Sequence, residues 1–116
     1  MTEEDKKKEK EEELAAREER FVQQRKERGW DDSETWSLDF SFAKWIVPRL
    51  KRFKELTFCY PVDLTPEQWD NMLDHMIEGF QIIIDEDGGQ WLKDEKQHKV
   101  QCALKLFHDR FFDLWW

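Results

Sequence analysis

The distribution of aromatic residues divides this chain into two parts that must behave differently on folding. Sixteen of its seventeen Phe, Trp and Tyr residues lie beyond Gly29, and the first 29 residues hold only Phe21. Because large rings each bury on the order of 150–250 Å² in a core, a core can form only from the later part. The sequence therefore predicts a charged arm over residues 1–29 and a helical domain over residues 30–116.

The arm consists mainly of Lys, Arg and Glu. These residues favour helix, but no apolar stripe repeats along the segment. Gly29 is a natural end for a helix. We expect a helical arm that stays solvated or partly disordered, as charge runs usually do; pairing with a second helix in a coiled coil is the alternative.

Charge and composition exclude several classes of partner. The net charge is −8, which argues against a nucleic-acid binder and against attachment to an anionic membrane surface. The sequence contains neither an apolar run of membrane-spanning length nor a hydrophobic signal region. We expect a soluble intracellular protein in which Cys59 and Cys102 are reduced thiols.

Three segments of residues 30–116 show helical spacing of apolar side chains. The first is expected to begin after Ser33, capped by Asp32 or Ser33, and to run to about Leu56 with a kink at Pro48. Its inward face is expected to carry the following side chains: Trp36, Phe40, Ala43, Val47 and Leu50.

The second helix has the clearest start, since Thr65, Pro66 and Gln68 form a capping box with proline at the first helical position. It is expected to end within residues 85–89. The third helix should begin between Gln90 and Glu95, with helical spacing continuing to Trp115. The fold class predicted is all-α: a three-helix bundle, one helix kinked at Pro48, preceded by the charged arm.

Two acidic groups and one aromatic pair are candidate partner-binding residues. Asp70, Asp74 and Glu78 lie four residues apart on one face, the acidic ridge, although a solvated polar face is the plainer interpretation. The remaining candidates lie in the acidic loop that follows the second helix and near the chain end: Asp85, Glu86, Asp87, Phe112 and Trp116. Phe112 and Trp116 are four apart and could form an exposed apolar patch.

A basic cluster interrupts the acidic domain. Its members are Lys44, Arg49, Lys51, Arg52 and Lys54. They could grip phosphate or an acidic protein surface. The alternative is pairing within the chain, with the acidic ridge or the acidic loop.

Little in the sequence favours catalysis, and no catalytic residue, metal ligand or cofactor is assigned. The pair His108-Asp109 is similar to the paired ligands of HD-type phosphohydrolases, which also need further histidines such as His75 or His98. Glu95 and His98 have the spacing of a di-iron ligand pair, but such sites need two copies of that motif. Asp85 and Asp87 do not fit the register of a calcium-binding EF-hand loop.

Motifs along residues 30–115 resemble a family of uncharacterised small helical proteins encoded by tailed bacteriophages and prophages. The resemblance is carried by Trp36-x-Leu38-Asp39, Pro48-Arg49-Leu50-Lys51, Tyr60-Pro61, Leu64-Thr65 with Trp69, Met76 with Phe80, and the set Leu104, Phe107, Leu114 and Trp115. It implies a phage setting, in the host cytoplasm or in a particle. No activity, cofactor or catalytic residue follows from it.

The function expected is that of a non-enzymatic, acidic phage-type binding protein that engages a host or phage protein and could inhibit it. Exposed aromatics would supply the anchor, and the acidic ridge and loop would compete for a basic surface. Two alternatives stay open: a metal-dependent phosphohydrolase of HD type, and a structural homo-oligomer in phage assembly.

Overall fold

The computed structural model describes residues 2–87 and 92–115. Within those ranges the chain forms four α-helices and two short 3-10 helices, with no strand, so the all-α prediction is confirmed. The α-helices are α1 (Glu3–Arg28), α2 (Leu38–Leu56), α3 (Pro66–Asp85) and α4 (Asp94–Asp109). None of the helices over the described ranges has the length and apolar character needed to cross a membrane.

The chain divides into two compact units, one ending at Trp36 and the other beginning at Ser37. The N-terminal unit consists of α1 and a short 3-10 helix, Asp32–Thr35. A capping box between Thr2 and Asp5 starts α1, and Gly29 ends it with a left-handed φ of 87°. A φ in that range suits glycine because it has no Cβ to clash with the backbone. The predicted end of the arm helix at Gly29 is confirmed.

The start predicted for the next helix was wrong by several residues. Asp31 caps the 3-10 helix by accepting a hydrogen bond from the Ser33 amide at 2.8 Å, and α2 begins only at Leu38. The capping signals in this segment thus belong to a short turn and not to α2. Trp36, expected in the bundle core, is 66% exposed in the N-terminal unit, with its ring edge-on to Phe21 at 5.8 Å.

In the C-terminal unit α3 packs against both α2 and α4. The side chains at its centre are almost fully buried: Trp69, Leu73, Met76 and Phe80. The rest of the buried cluster comes from Ile83, also in α3, from Val100 in α4, and from four residues of α2, namely Ala43, Ile46, Val47 and Leu50. Residues from all three predicted stripes therefore share one core, whereas Trp36 and, along the third segment, Leu104, Phe111 and Trp115 are exposed.

Local signals in α2 and α3 were largely interpreted correctly. α2 continues through Pro48 and ends at Leu56, as the resumed apolar spacing beyond Pro48 indicated. At the start of α3, the Thr65 hydroxyl accepts from the Gln68 amide at 3.1 Å, and the Gln68 side chain accepts from the Thr65 amide at 2.9 Å. The predicted capping box is confirmed.

The third predicted helix starts where expected but ends early. α4 begins at Asp94 and stops at Asp109, and a 3-10 helix, Phe111–Asp113, follows it. The Asp113 amide donates to the Arg110 carbonyl at 2.9 Å, and the Arg110 guanidinium binds the carboxylates of both Asp63 and Asp113. These contacts hold the backbone in a tighter turn, so helical spacing does not extend to Trp115.

Candidate functional site

A continuous series of aromatic contacts leads from the core of the C-terminal unit to its surface. Phe80, buried in α3, has ring centroids 5.7 Å from Phe42 and 5.5 Å from Phe107. Phe107 in turn contacts Phe111 at 5.4 Å, and Phe111 contacts Phe112 at 5.5 Å. All four contacts are edge-to-face, the arrangement that the charge distribution of aromatic rings favours.

The outer members of this series are strongly exposed. Phe112 is 89% exposed, Phe111 52% and Trp45, which stacks on Phe42, 51%. Together with the exposed side chains of Phe42 and Leu104, they form what we call the aromatic face. Its four rings expose roughly 350–600 Å², which is about the largest apolar patch that a monomer normally shows.

Helical spacing defines the two borders of the aromatic face. Along α2 one line contains Leu38, Phe42, Trp45, Arg49, Arg52 and Leu56. Along α4 the corresponding line contains Gln97, Gln101, Leu104 and His108. Neither line includes an aspartate or a glutamate, although the chain as a whole has a net charge of −8.

Arg49 lies against the aromatic face and faces no carboxylate in the described parts of the chain. Its guanidinium stacks over the Trp45 ring at 4.2 Å from the centroid and donates to the Trp45 carbonyl at 2.8 Å. Stacking of this kind orders the guanidinium while leaving donors for a carboxylate. A cavity of about 340 Å³ extends from this point, lined by Ile46, Arg49, Leu50, Arg52, Phe53, Leu56 and Leu114.

Two members of the acidic ridge are paired within the chain. Lys54 of α2 binds Asp74 at 2.6 Å, and Lys99 of α4 binds Glu78 at 2.9 Å. Hydrogen bonding to Asp74 raises the pKa of Lys54, and the bond from Lys99 lowers the pKa of Glu78. A basic partner would have to displace these lysines, so much of the ridge is already used in cross-helix contacts.

The acidic loop is similarly occupied. Glu86 pairs with Lys96 of α4, and Asp85 accepts from the Gln81 amide group at 2.9 Å. Asp87 has a left-handed φ of 54°, a conformation that aspartate tolerates in turns. The ion pair between Glu86 and Lys96 therefore joins the acidic loop to α4. Trp116, the other terminal candidate, lies outside the described residues.

The basic cluster does not form one surface. Lys54 binds the acidic ridge, Arg52 pairs with Glu55 at 2.8 Å, and Arg49 lies on Trp45. Lys44 is over the ring of Phe40. Part of the cluster is thus paired within the chain, as one interpretation expected, and Arg49 and Arg52 border the aromatic face.

Of the three histidines, His75 and His98 line the same cavity and His108 does not. A cavity of about 500 Å³ between α3 and α4 is lined by His75, Glu78, His98, Lys99, Cys102, Lys105, Leu106 and Asp109. His108 is not among its lining residues; it contacts Asp109 at 3.1 Å on an exposed surface, and Lys105 binds the same carboxylate at 2.8 Å. Over residues 2–87 and 92–115, no group of three or more His, Cys, Asp or Glu side chains could hold a metal ion.

A third cavity, of about 380 Å³, lies between the α2–α3 connector and the residues that follow α4. Its lining comprises Cys59, Tyr60, Pro61, Val62, Asp63, Asp113 and Trp115. Arg110 binds Asp63 through two donors, at 2.8 and 3.1 Å, and this contact lowers the pKa of Asp63. The two acids of this cavity therefore serve to fix the connector on the end of α4.

Phe42, Trp45 and Leu104 are exposed, and none of them was singled out as exposed from the sequence. Trp45 does not belong to the stripe formed by Ala43, Val47 and Leu50, and that mismatch was the available signal for an outward ring. Phe112 was correctly singled out as exposed. No protein-family model, curated protein or solved structure matches this chain.

Proposed function

We propose that this chain is a non-enzymatic binding protein that docks another protein on its aromatic face. In the phage setting that the sequence motifs suggest, the partner is a host or phage protein, and docking inhibits it. The observation that carries the proposal is the exposure of Trp45, Phe111 and Phe112 around a ring pair anchored in the core.

The arrangement of the aromatic face favours binding over a purely structural role. Its rings contact one another and reach the buried Phe80, so they are held in place before a partner arrives. Preorganised Trp and Phe anchors lose little conformational freedom on association and are typical of interface hot spots. The neighbouring Arg49 adds a second residue type that is enriched at hot spots.

The acidic residues have a smaller part in this proposal than the sequence suggested. Asp74, Glu78 and Glu86 are neutralised by lysines of α2 and α4, so the aromatic face supplies the anchor. Asp70 and Asp87 remain as acids that can attract basic parts of the partner's surface during approach, apart from the segment that contacts the aromatic face. We further propose the finer fold expected from the sequence, in which α2, α3 and α4 form a three-helix bundle, α2 is kinked at Pro48 and α1 is an arm.

Site-specific photocrosslinking tests the binding function. A benzoylphenylalanine at position 112 should capture a specific protein in bacterial cells, whereas the same probe at Phe58, which is also highly exposed, should not. Trp45→Ser should abolish the capture at position 112. Equal capture from both positions, or none from either, would refute docking on the aromatic face.

Self-association is a second candidate, because the same apolar surface could bury itself against another copy. Light scattering on the full chain and on a Trp45→Ser/Phe112→Ser variant decides this. A dimer that dissociates in the variant supports the structural homo-oligomer; a monomer in both samples removes it.

The metal-dependent phosphohydrolase is the remaining alternative, favoured only by the cavity that brings His75, His98 and Asp109 together. Calorimetric titration with manganese, zinc and magnesium is the decisive measurement. A stoichiometric heat signal lost in His98→Ala would support it, and three flat traces would end it.

A further inference from the structure

We infer that the aromatic face accepts an acidic amphipathic helix, laid along α2 toward the C-terminal end of α4. The inference rests on the proposed function, because it names the chemistry of the partner that the aromatic face would bind. Its grounds are the relative placement of α2 and α4, the exposed rings between them, and the charges at their borders.

The placement of α2 and α4 leaves a trough between them that could accommodate an additional helix. α2 and α4 each pack on α3, and over the described residues their backbones make no contact with each other. The ring contact between Phe42 and Phe107, at 5.8 Å, bridges the two helices and forms the floor. Trp45 stacks on Phe42 and Phe111 contacts Phe107 edge-on, and both of these outer rings are about half exposed. An additional helix would cover these rings in the way that helix-in-groove complexes do.

The length of the trough also matches a helix. The outward line of α2 runs from Leu38 to Leu56, which corresponds to about 27 Å of helix axis. A partner helix of about 18 residues would span it, with apolar anchors repeated every three or four residues. The apolar cavity bounded by Phe53, Leu56 and Leu114 lies at the far end of this line and could hold a terminal anchor.

Charge selects an acidic helix over a basic one. Arg49 faces no carboxylate over the described residues, and Arg52 has only an exposed partner three residues away, Glu55. An exposed pair of that kind is worth little and can be exchanged at small cost. Because neither line of border residues includes an acid, glutamates flanking the apolar stripe of a partner would lie closest to Arg49, Arg52 and neutral side chains. Glu55 would then give up its contact with Arg52, and Asp39 adjoins the line only at its start, next to Leu38.

A second copy of the chain fits this site less well. A symmetric pairing of two aromatic faces would place Arg49 and Arg52 of each copy against a face whose border lines include no acid, so these cations would gain no partner there. The chain's own charged helix, α1, lacks a continuous apolar stripe to present. The occupant is therefore a helix from a different protein.

Two designed peptides of about 18 residues test the inference. Both carry the same Leu and Trp stripe; one has glutamates on its flanks and the other has lysines. Binding to the full chain is followed by fluorescence anisotropy of the labelled peptide in about 0.15 M salt, where charges are screened beyond roughly 8 Å. The acidic peptide should bind at least about tenfold more tightly.

Matched charge reversals show whether that preference belongs to the trough. Arg49→Glu/Arg52→Glu should weaken the acidic peptide by about tenfold and strengthen the basic one. Lys44→Glu/Lys51→Glu makes the same change of net charge on the opposite flank of α2 and should leave both affinities within about twofold. Circular dichroism of both variants verifies that α2 stays folded.

The outcomes separate this inference from the proposed function. Equal affinities for the two peptides, or equal effects of the two double reversals, would overturn it. If position 112 still captures a protein in cells in that event, the aromatic face binds a partner of other chemistry and the proposed function stands. A peptide that does not bind while light scattering reports a dimer assigns the trough to a second copy, which also overturns the inference.

Discussion

At the level of single residues, Gly79 determines how closely α3 and α4 approach each other. A Cβ at this position would lie 2.2 Å from the Ala103 Cβ and 2.9 Å from the Lys99 carbonyl oxygen. Real Cβ atoms are not found at such distances, and one of the obstacles is backbone, so a larger side chain would have to force the helices apart. The small pair at this crossing thus keeps Val100 and Ala103 in the core.

Gly79→Ala is predicted to destabilise the protein by about 1–3 kcal/mol, because overpacking at the crossing outweighs the better helix propensity of alanine. Urea denaturation followed by circular dichroism measures the change. Asn71→Ala, at an exposed position of the same helix, should be neutral or slightly stabilising. If Gly79→Ala proved as stable as that control, the close contact would be wrong.

Asp31 gives a pH prediction. Hydrogen bonds from Ser33, together with the Arg25 guanidinium, hold the pKa of this carboxylate below its ordinary value of 3.8. A lowered pKa in the folded state means that the contribution to stability is present above about pH 3.8 and is lost as pH falls through the lower, folded value.

Carbon-detected NMR titration of Asp31 is the measurement. Arg25→Gln should shift its pKa upward, toward the ordinary value, because one donor to the carboxylate is removed. Gln23→Ala, on the same helix but bonded to Glu27 instead, serves as the control and should leave the titration unchanged. A pKa at the ordinary value in the unmodified chain would contradict the contacts of Ser33 and Arg25 with the Asp31 carboxylate.

At the scale of elements, the sequence predicted helices well where side chains and backbone signals agreed. Thr65, Pro66 and Gln68 all indicated the same first turn, and α3 begins there. The predictions failed where spacing alone was extended past a local turn. Trp36 precedes α2 because Asp31 caps a 3-10 turn, and α4 ends at Asp109 because Arg110 engages Asp63 and Asp113. The partner Asp63 is distant in sequence, so spacing could not reveal it.

Pro48 is the main irregularity of α2. It lies within a continuous helix and cannot donate the backbone hydrogen bond that the carbonyl four residues earlier would accept. Pro48→Ala is predicted to raise the free energy of unfolding by about 1–3 kcal/mol. Thermal and urea unfolding provide the measurement, with Lys51→Ala as an exposed control in the same helix. A loss of stability would instead show that the rigid ring supports the packing of α2.

For the whole molecule, the division into two units after Trp36 predicts that the C-terminal unit is stable without the N-terminal one. Every member of the buried cluster lies in the C-terminal unit, between Ala43 and Val100. A chain of residues 37–116 should therefore fold alone and unfold cooperatively, with a Tm within about 5 °C of the full chain. A truncated chain that is largely unfolded by circular dichroism would show that residues 1–36 are part of the cooperative unit.

The candidate site could be foreseen from sequence only in part. A surplus of rings near the chain end predicted an exposed patch, and Phe112 is indeed exposed. Whether Trp45 and Leu104 are covered depends on the distance between α2 and α4, which periodicity does not specify. Likewise, the spacing of Asp74 and Glu78 identified an acidic ridge, while the lysines that neutralise it come from other helices.

The burial of Trp69 has a practical consequence for optical studies of this protein. Its indole is 2% exposed, whereas Trp30, Trp36, Trp45 and Trp115 are each 45–66% exposed. Among the described tryptophans, most of the native emission will thus arise from indoles already in contact with water, and that emission will shift only modestly to the red in denaturant. Iodide should quench the bulk of that light and spare a blue residual component from Trp69, whose loss would mark the opening of the interior.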